Sequence, residues 1–94
     1  MGMPAARMGD QHICTMFGPS AHIGGPILLG CPTVLIGGQF AARTGDFAFC
    51  VGPPDVIGPA STTVLIGGKP AARLGDRTVH GGFIVFGCPT VLIG

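Results

Sequence analysis

Two short phrases, each written three times, constrain this chain more than any other feature. The first runs Pro4-Ala5-Ala6-Arg7-Met8-Gly9-Asp10, Phe40-Ala41-Ala42-Arg43-Thr44-Gly45-Asp46 and Pro70-Ala71-Ala72-Arg73-Leu74-Gly75-Asp76. The second runs Thr33-Val34-Leu35-Ile36-Gly37-Gly38, Thr63-Val64-Leu65-Ile66-Gly67-Gly68 and Thr90-Val91-Leu92-Ile93-Gly94. Heads and tails interleave, and the distance from each motif aspartate to the next tail threonine falls from 23 residues to 17 and then 14. Phrases that keep their form while the spacing changes occupy equivalent framework positions, and the middles are loops. Three units are expected, about 4–39, 40–69 and 70–94, within a single domain of 94 residues.

The local chemistry of the phrases predicts a mostly β architecture. Each tail is a β-branched, apolar run closed by glycine, which reads as strand followed by turn. Along Thr-Val-Leu-Ile, Val and Ile face one side and Thr and Leu the other, so both faces of the strand are apolar and one of them needs a cover. In the heads, Gly before Asp marks a backbone bend, and an arginine three residues before its aspartate can close a local ion pair or cap the turn. No helical period is visible, and with 18 Gly and 9 Pro among 94 residues long helices are not expected.

Composition narrows the function classes. Only 10% of the residues are charged, against 47% hydrophobic, and six of the nine charges are the motif's own Arg and Asp. A net charge of +1 leaves no basic face for nucleic acid. The uncharged run between Asp10 and Arg43 is broken by Gly and Pro throughout, which argues against a membrane-spanning helix. The N-terminus lacks the apolar core of a signal peptide, so synthesis in the cytoplasm is expected, where thiols pack or bind metal more readily than they pair. No serine-histidine-carboxylate set or phosphate loop is recognisable, and an Arg-Asp pair repeated three times is unlike an active site, which is unique within a chain.

The histidines and cysteines carry the strongest chemical signal. Counting four from each motif aspartate reaches Cys14, Cys50 and His80, three metal-competent side chains at one position of three repeats. A threefold arrangement would bring them together on its axis, and a closed set of four nitrogen or sulfur ligands suits structural zinc. His12 lies two residues before Cys14, and His22 sits in the long first loop. Cys14 and Cys50 compete for the thiolate role; a site drawing on all three repeats closes longer loops, which favours Cys50. Cys31 and Cys88 stand where the middle unit has Ser61, so small-residue packing is expected of them.

These heads, each followed by x-Gly-Asp, together with the tails and the His80-Gly81-Gly82 segment, resemble the PAAR-repeat family over residues 4–94; Phe40, in place of the first proline, is a departure from its pattern. The resemblance implies a small, mostly β, cone-shaped domain of short strands with three PAAR repeats about a pseudo-threefold axis. Proteins similar to it are non-enzymatic tips that cap the trimeric VgrG spike of a bacterial type VI secretion system, one per trimer. They sharpen it for piercing a target membrane that they touch only transiently. They can link secreted effectors, and this chain looks like a tip without a fused effector domain. The resemblance also implies a structural zinc ion on three histidines and one cysteine, which carries over to His12, His22, His80 and Cys50. Export from the bacterial cytoplasm would then run through the injection machine. The alternatives are the tip of a related contractile phage tail or extracellular injection particle, and a small zinc hydrolase.

Overall fold

The computed structural model describes residues 2–14, 24–50 and 54–94. Among the described residues there is no helix; the elements are short strands. In chain order they are β1 (Met3–Ala5), β2 (His12–Ile13), β3 (Gly24–Ile27), β4 (Cys31–Ile36), β5 (Gln39–Ala41), β6 (Phe47–Cys50), β7 (Asp55–Val56), β8 (Leu65–Ile66), β9 (Lys69–Pro70), β10 (Phe83–Ile84) and β11 (Cys88–Ile93). The molecule measures 37 × 24 × 22 Å, one long axis and two nearly equal short ones. No helix among these residues is long and apolar enough to cross a membrane.

The three units close into a ring. Each tail pairs antiparallel with the next head: Ile36 faces Gln39, Ile66 faces Lys69, and Ile93 at the end of the chain faces Met3 at its start. In the first two junctions the turn is Gly-Gly with positive φ at both residues, 57° and 83° at Gly37 and Gly38 and 58° and 81° at Gly67 and Gly68. That is the requirement of a type I′ turn, which glycine meets without strain. Nearer the axis, the amide of Ala6 donates to the carbonyl of Ala72, Ala72 to Ala42, and Ala42 to Ala6, at 2.9, 3.0 and 3.0 Å. This cycle requires three backbones to converge at hydrogen-bonding distance. Only a side chain as small as alanine fits there, which is why Ala-Ala recurs in every head and all six alanines are fully buried.

Around this collar the core separates into two layers. The lower one joins Ala5, Ala41 and Ala71 to Ile36, Ile66 and Ile93 of the tails and to Cys31 and Cys88. The upper one joins Ala6, Ala42 and Ala72 to Ile27, Ile57 and Ile84, with Ala48. The tail alternation is as the sequence predicts: the isoleucines are buried, Val34 and Val64 pack partly against the lower layer, and the leucines face outward. Cys31 and Cys88 are small buried packing residues, each sulfur 3.2 Å from the hydroxyl of the threonine two places on, Thr33 and Thr90. Ser61 repeats the contact to Thr63 at 3.4 Å and also donates to the carbonyl of Gly94.

The expected ion pair closes every head. Asp10, Asp46 and Asp76 each accept from the backbone amide of the arginine three residues earlier, at 2.8, 2.8 and 2.7 Å, and from its guanidinium. The side-chain bonds to the aspartates raise Arg7, Arg43 and Arg73 above the usual arginine value. Gly9, Gly45 and Gly75, with φ between 91° and 98°, turn the chain inside this loop. Their amides donate to Ile27, Ile57 and Ile84, whose own amides return to the three aspartate carbonyls. A polar lock of the same form thus ties each head to the upper core of its own unit.

Candidate metal centre

Past each aspartate the chain climbs from the upper core towards one end of the molecule, alternating inward and outward. The inward residues directly after the core are His12, Ala48 and Thr78; they pair with Ile84, Ile27 and Ile57, each from the preceding unit in the ring. Two residues further come Cys14, Cys50 and His80, and their ligand atoms all lie within 4.8 Å of one another. The Cys50 thiol donates to the Cys14 sulfur at 2.9 Å, and that sulfur is 3.4 Å from Nδ1 of His80. Between these rungs Ile13, Phe49 and Val79 point outward and are 43%, 46% and 68% exposed.

Two sulfurs and an imidazole from three different repeats form a donor set suited to zinc; the two cysteines are buried and His80 is partly buried. Loss of solvation raises the Cys50 thiol to about 12, with the neighbouring Cys14 adding to it. A cation reverses that preference, because a coordinated thiol is deprotonated.

Residues 17–86 match the family model of the PAAR motif. The chain belongs to the PAAR-motif family. No curated protein matches it closely enough to add a relative.

The PAAR-motif fold brings together the residues that the repeat count singles out. Cys14 and Cys50, read from sequence as rivals, both stand at the centre, beside His80. His22 lies outside the described residues. His12, expected to be a ligand, is placed elsewhere: its Nδ1 is 2.8 Å from the carbonyl oxygen of Gly25 and its Nε2 is 3.0 Å from Oδ2 of Asp55, so both ring nitrogens are already engaged. The reason is the strand period. Two residues earlier on the same inward face is one rung lower, which seats His12 beneath the cluster.

Sequence reasoning missed Asp55 altogether. It opens β7, has no counterpart in either phrase, and is fully buried. Burial drives its carboxyl upward, but the Thr78 hydroxyl, the amides of His80 and Val56 and the nearby His80 ring outweigh this and hold it below the usual carboxylate value. Thr78 acts here through proximity, since its Oγ1 meets no partner within hydrogen-bond geometry. The available signal was that Asp55 is the one acidic residue outside the repeated Arg-Asp pairs.

Proposed function

We propose that this chain is the non-enzymatic tip of a contractile injection apparatus, seated on a trimeric spike of the VgrG type with one tip per trimer. Family membership supports the reading, and one observation carries it. Leu35, Leu65 and Leu92 occupy the same position in three tails and are 60%, 64% and 62% exposed. They belong to the tail layer, at the end of the molecule away from the Cys-Cys-His cluster. An apolar triad with threefold spacing is costly to leave in water, and a true trimer presents three identical surfaces that match it. Single-copy partners have no use for such repetition.

At the opposite end, a structural zinc ion on Cys14, Cys50 and His80 would staple the three repeats together. His22, in the long first loop and outside the described residues, is the proposed fourth ligand. The exposed Ile13, Phe49 and Val79 around that end suit brief passage through an apolar bilayer interior. In this reading the chain is made in the bacterial cytoplasm, leaves through the machine itself, and can carry effectors on its flanks. A tip on a related phage tail or extracellular injection particle would use the same surfaces.

The deciding experiment measures binding to a trimeric VgrG spike by light scattering. One chain per trimer is expected, with binding lost in Leu35→Glu/Leu65→Glu/Leu92→Glu; three chains per trimer, or binding untouched by that triple change, would reject the proposal. A zinc hydrolase would instead keep its metal and its turnover in Cys14→Ser and Cys50→Ser, whereas a structural site loses zinc in both.

A further inference from the structure

Directly beneath the cluster, the threefold pattern is broken by an ionisable pair that neither repeated phrase contains. The inward rung there holds His12, Ala48 and Thr78. The positions facing it, each two residues before a buried isoleucine of the upper core, are Gly25, Asp55 and Gly82. At two of these three a side chain would run into its neighbours. A Cβ on Gly25 would lie 2.6 Å from a ring carbon of Phe49, and one on Gly82 would lie 1.6 Å from the carbonyl oxygen of Ile13. The middle unit alone makes room, and fills it with a carboxylate at 0% exposure.

Packing does not demand this pair, because the other positions of the same two rungs are filled by Ala48, Thr78, Gly25 and Gly82. A buried carboxylate is costly unless its oxygens are supplied with donors. Asp55 is so supplied, and the distribution of its bonds indicates its purpose. Oδ2 faces Nε2 of His12 at 3.0 Å. Oδ1 accepts from the backbone amides of Val56 at 2.8 Å and of His80 at 3.0 Å, and lies 3.8 Å from Nδ1 of the His80 ring. His12 is held in turn by the Gly25 carbonyl, so the carboxylate is braced from the first repeat while it holds the third.

We propose that His12 and Asp55 are positioning residues for the metal centre: together they fix the backbone of His80 so that its ring meets the sulfurs of Cys14 and Cys50. The inference rests on the reading of that cluster as a metal site. His80 opens a turn through Gly81, at φ 87°, and Gly82. That turn is closed by backbone bonds from Gly81 to Thr78 and from Thr78 to Gly82, and the Asp55 bond to the His80 amide ties it to the middle repeat. Partners that orient a ligand histidine are worth about 10–100-fold in metal affinity.

Cobalt(II) titration tests this, because thiolate-to-cobalt charge transfer and the ligand-field bands report both affinity and geometry. Wild-type protein should bind one cobalt with thiolate bands. Asp55→Ala should bind about 10–100-fold more weakly with altered ligand-field bands. Asp55→Asn keeps an oxygen for the two amides and presents an N–H to His12, and should recover most of the affinity even if the alanine variant does not fold. Ile36→Val, a change of similar destabilising kind in the lower core, should leave cobalt binding as in wild type. Wild-type affinity and spectrum in Asp55→Ala would overturn the proposal, as would equal weakening in Ile36→Val. Loss of a nitrogen donor in His12→Ala, with Asp55→Asn unaffected, would make His12 a ligand and overturn it too. No cobalt uptake by wild-type protein would instead remove the metal-site reading, and this inference with it.

Discussion

Replacing the motif aspartates one at a time by alanine tests whether three copies of a phrase are three copies of a physical device. Each carboxylate accepts the arginine amide at 2.7–2.8 Å and two guanidinium nitrogens at 2.9–3.4 Å. The arginine side chains remain 16–23% exposed, so in the variants water can solvate the guanidinium; the buried amide has no such substitute. A hydrogen bond to a charged acceptor is worth about 1.5–3 kcal/mol, which sets the expected loss near 2 kcal/mol for each of Asp10→Ala, Asp46→Ala and Asp76→Ala. For a chain of this size that corresponds to a fall in Tm of about 8–16 °C. Asp→Asn, which keeps an acceptor oxygen and loses the charge, should cost about half as much. Denaturant unfolding of metal-loaded protein, with m unchanged, gives the comparison. Values for the three alanine variants that differ by more than about 1.5 kcal/mol, or that fall within the 0.5 kcal/mol of an ordinary surface change, would refute the equivalence argued from the geometry.

Other consequences can be checked with the same material. Ala42→Val forces two extra methyls into the closed amide cycle, and should lower stability by about 1–3 kcal/mol in denaturant unfolding, more than the same change at an exposed site. Chelation of the metal should lower Tm; with free zinc at about 100 times its dissociation constant the loss is about 2.7 kcal/mol, and a melting curve indifferent to chelator would count against a structural ion. Cys50→Ser and Cys14→Ser should each weaken zinc binding, measured by chelator competition, because both sulfurs stand in the cluster. Deleting Met1, joining Gly94 to Gly2 and opening the chain between Gly37 and Gly38 recreates the Ile-Gly-Gly turn at the third junction; this circular permutant should fold and keep its metal, as judged by circular dichroism and zinc content.

The threefold recurrence was legible in the sequence; that each tail pairs with the next head, with Ile93 facing Met3 as Ile36 faces Gln39 and Ile66 faces Lys69, came from the structure. Legible too were the strand character of the tails, the alternation of their side chains between two faces, the Arg-Asp locks and the packing role of Cys31 and Cys88. Each follows from side-chain size, period or spacing over a few residues. Counting from the aspartates likewise found Cys14, Cys50 and His80, since equivalent positions in a threefold ring meet at its axis. Between the two cysteines, both of which stand beside His80, loop length ranks candidates without excluding either.

What the tertiary structure alone decided is the fate of His12 and Asp55. Their positions are 43 residues apart and lie in different units, so neither period nor spacing links them. Whether an imidazole reaches a metal or a carboxylate depends on a difference of one rung along the axis, and on which of three equivalent facing positions has room for a side chain. Gly82 is closed by the backbone of Ile13 and Gly25 is crowded by the Phe49 side chain, whereas the middle unit seats the Asp55 carboxylate. That choice is made by close packing between distant segments, a property of the assembled ring that no single segment carries.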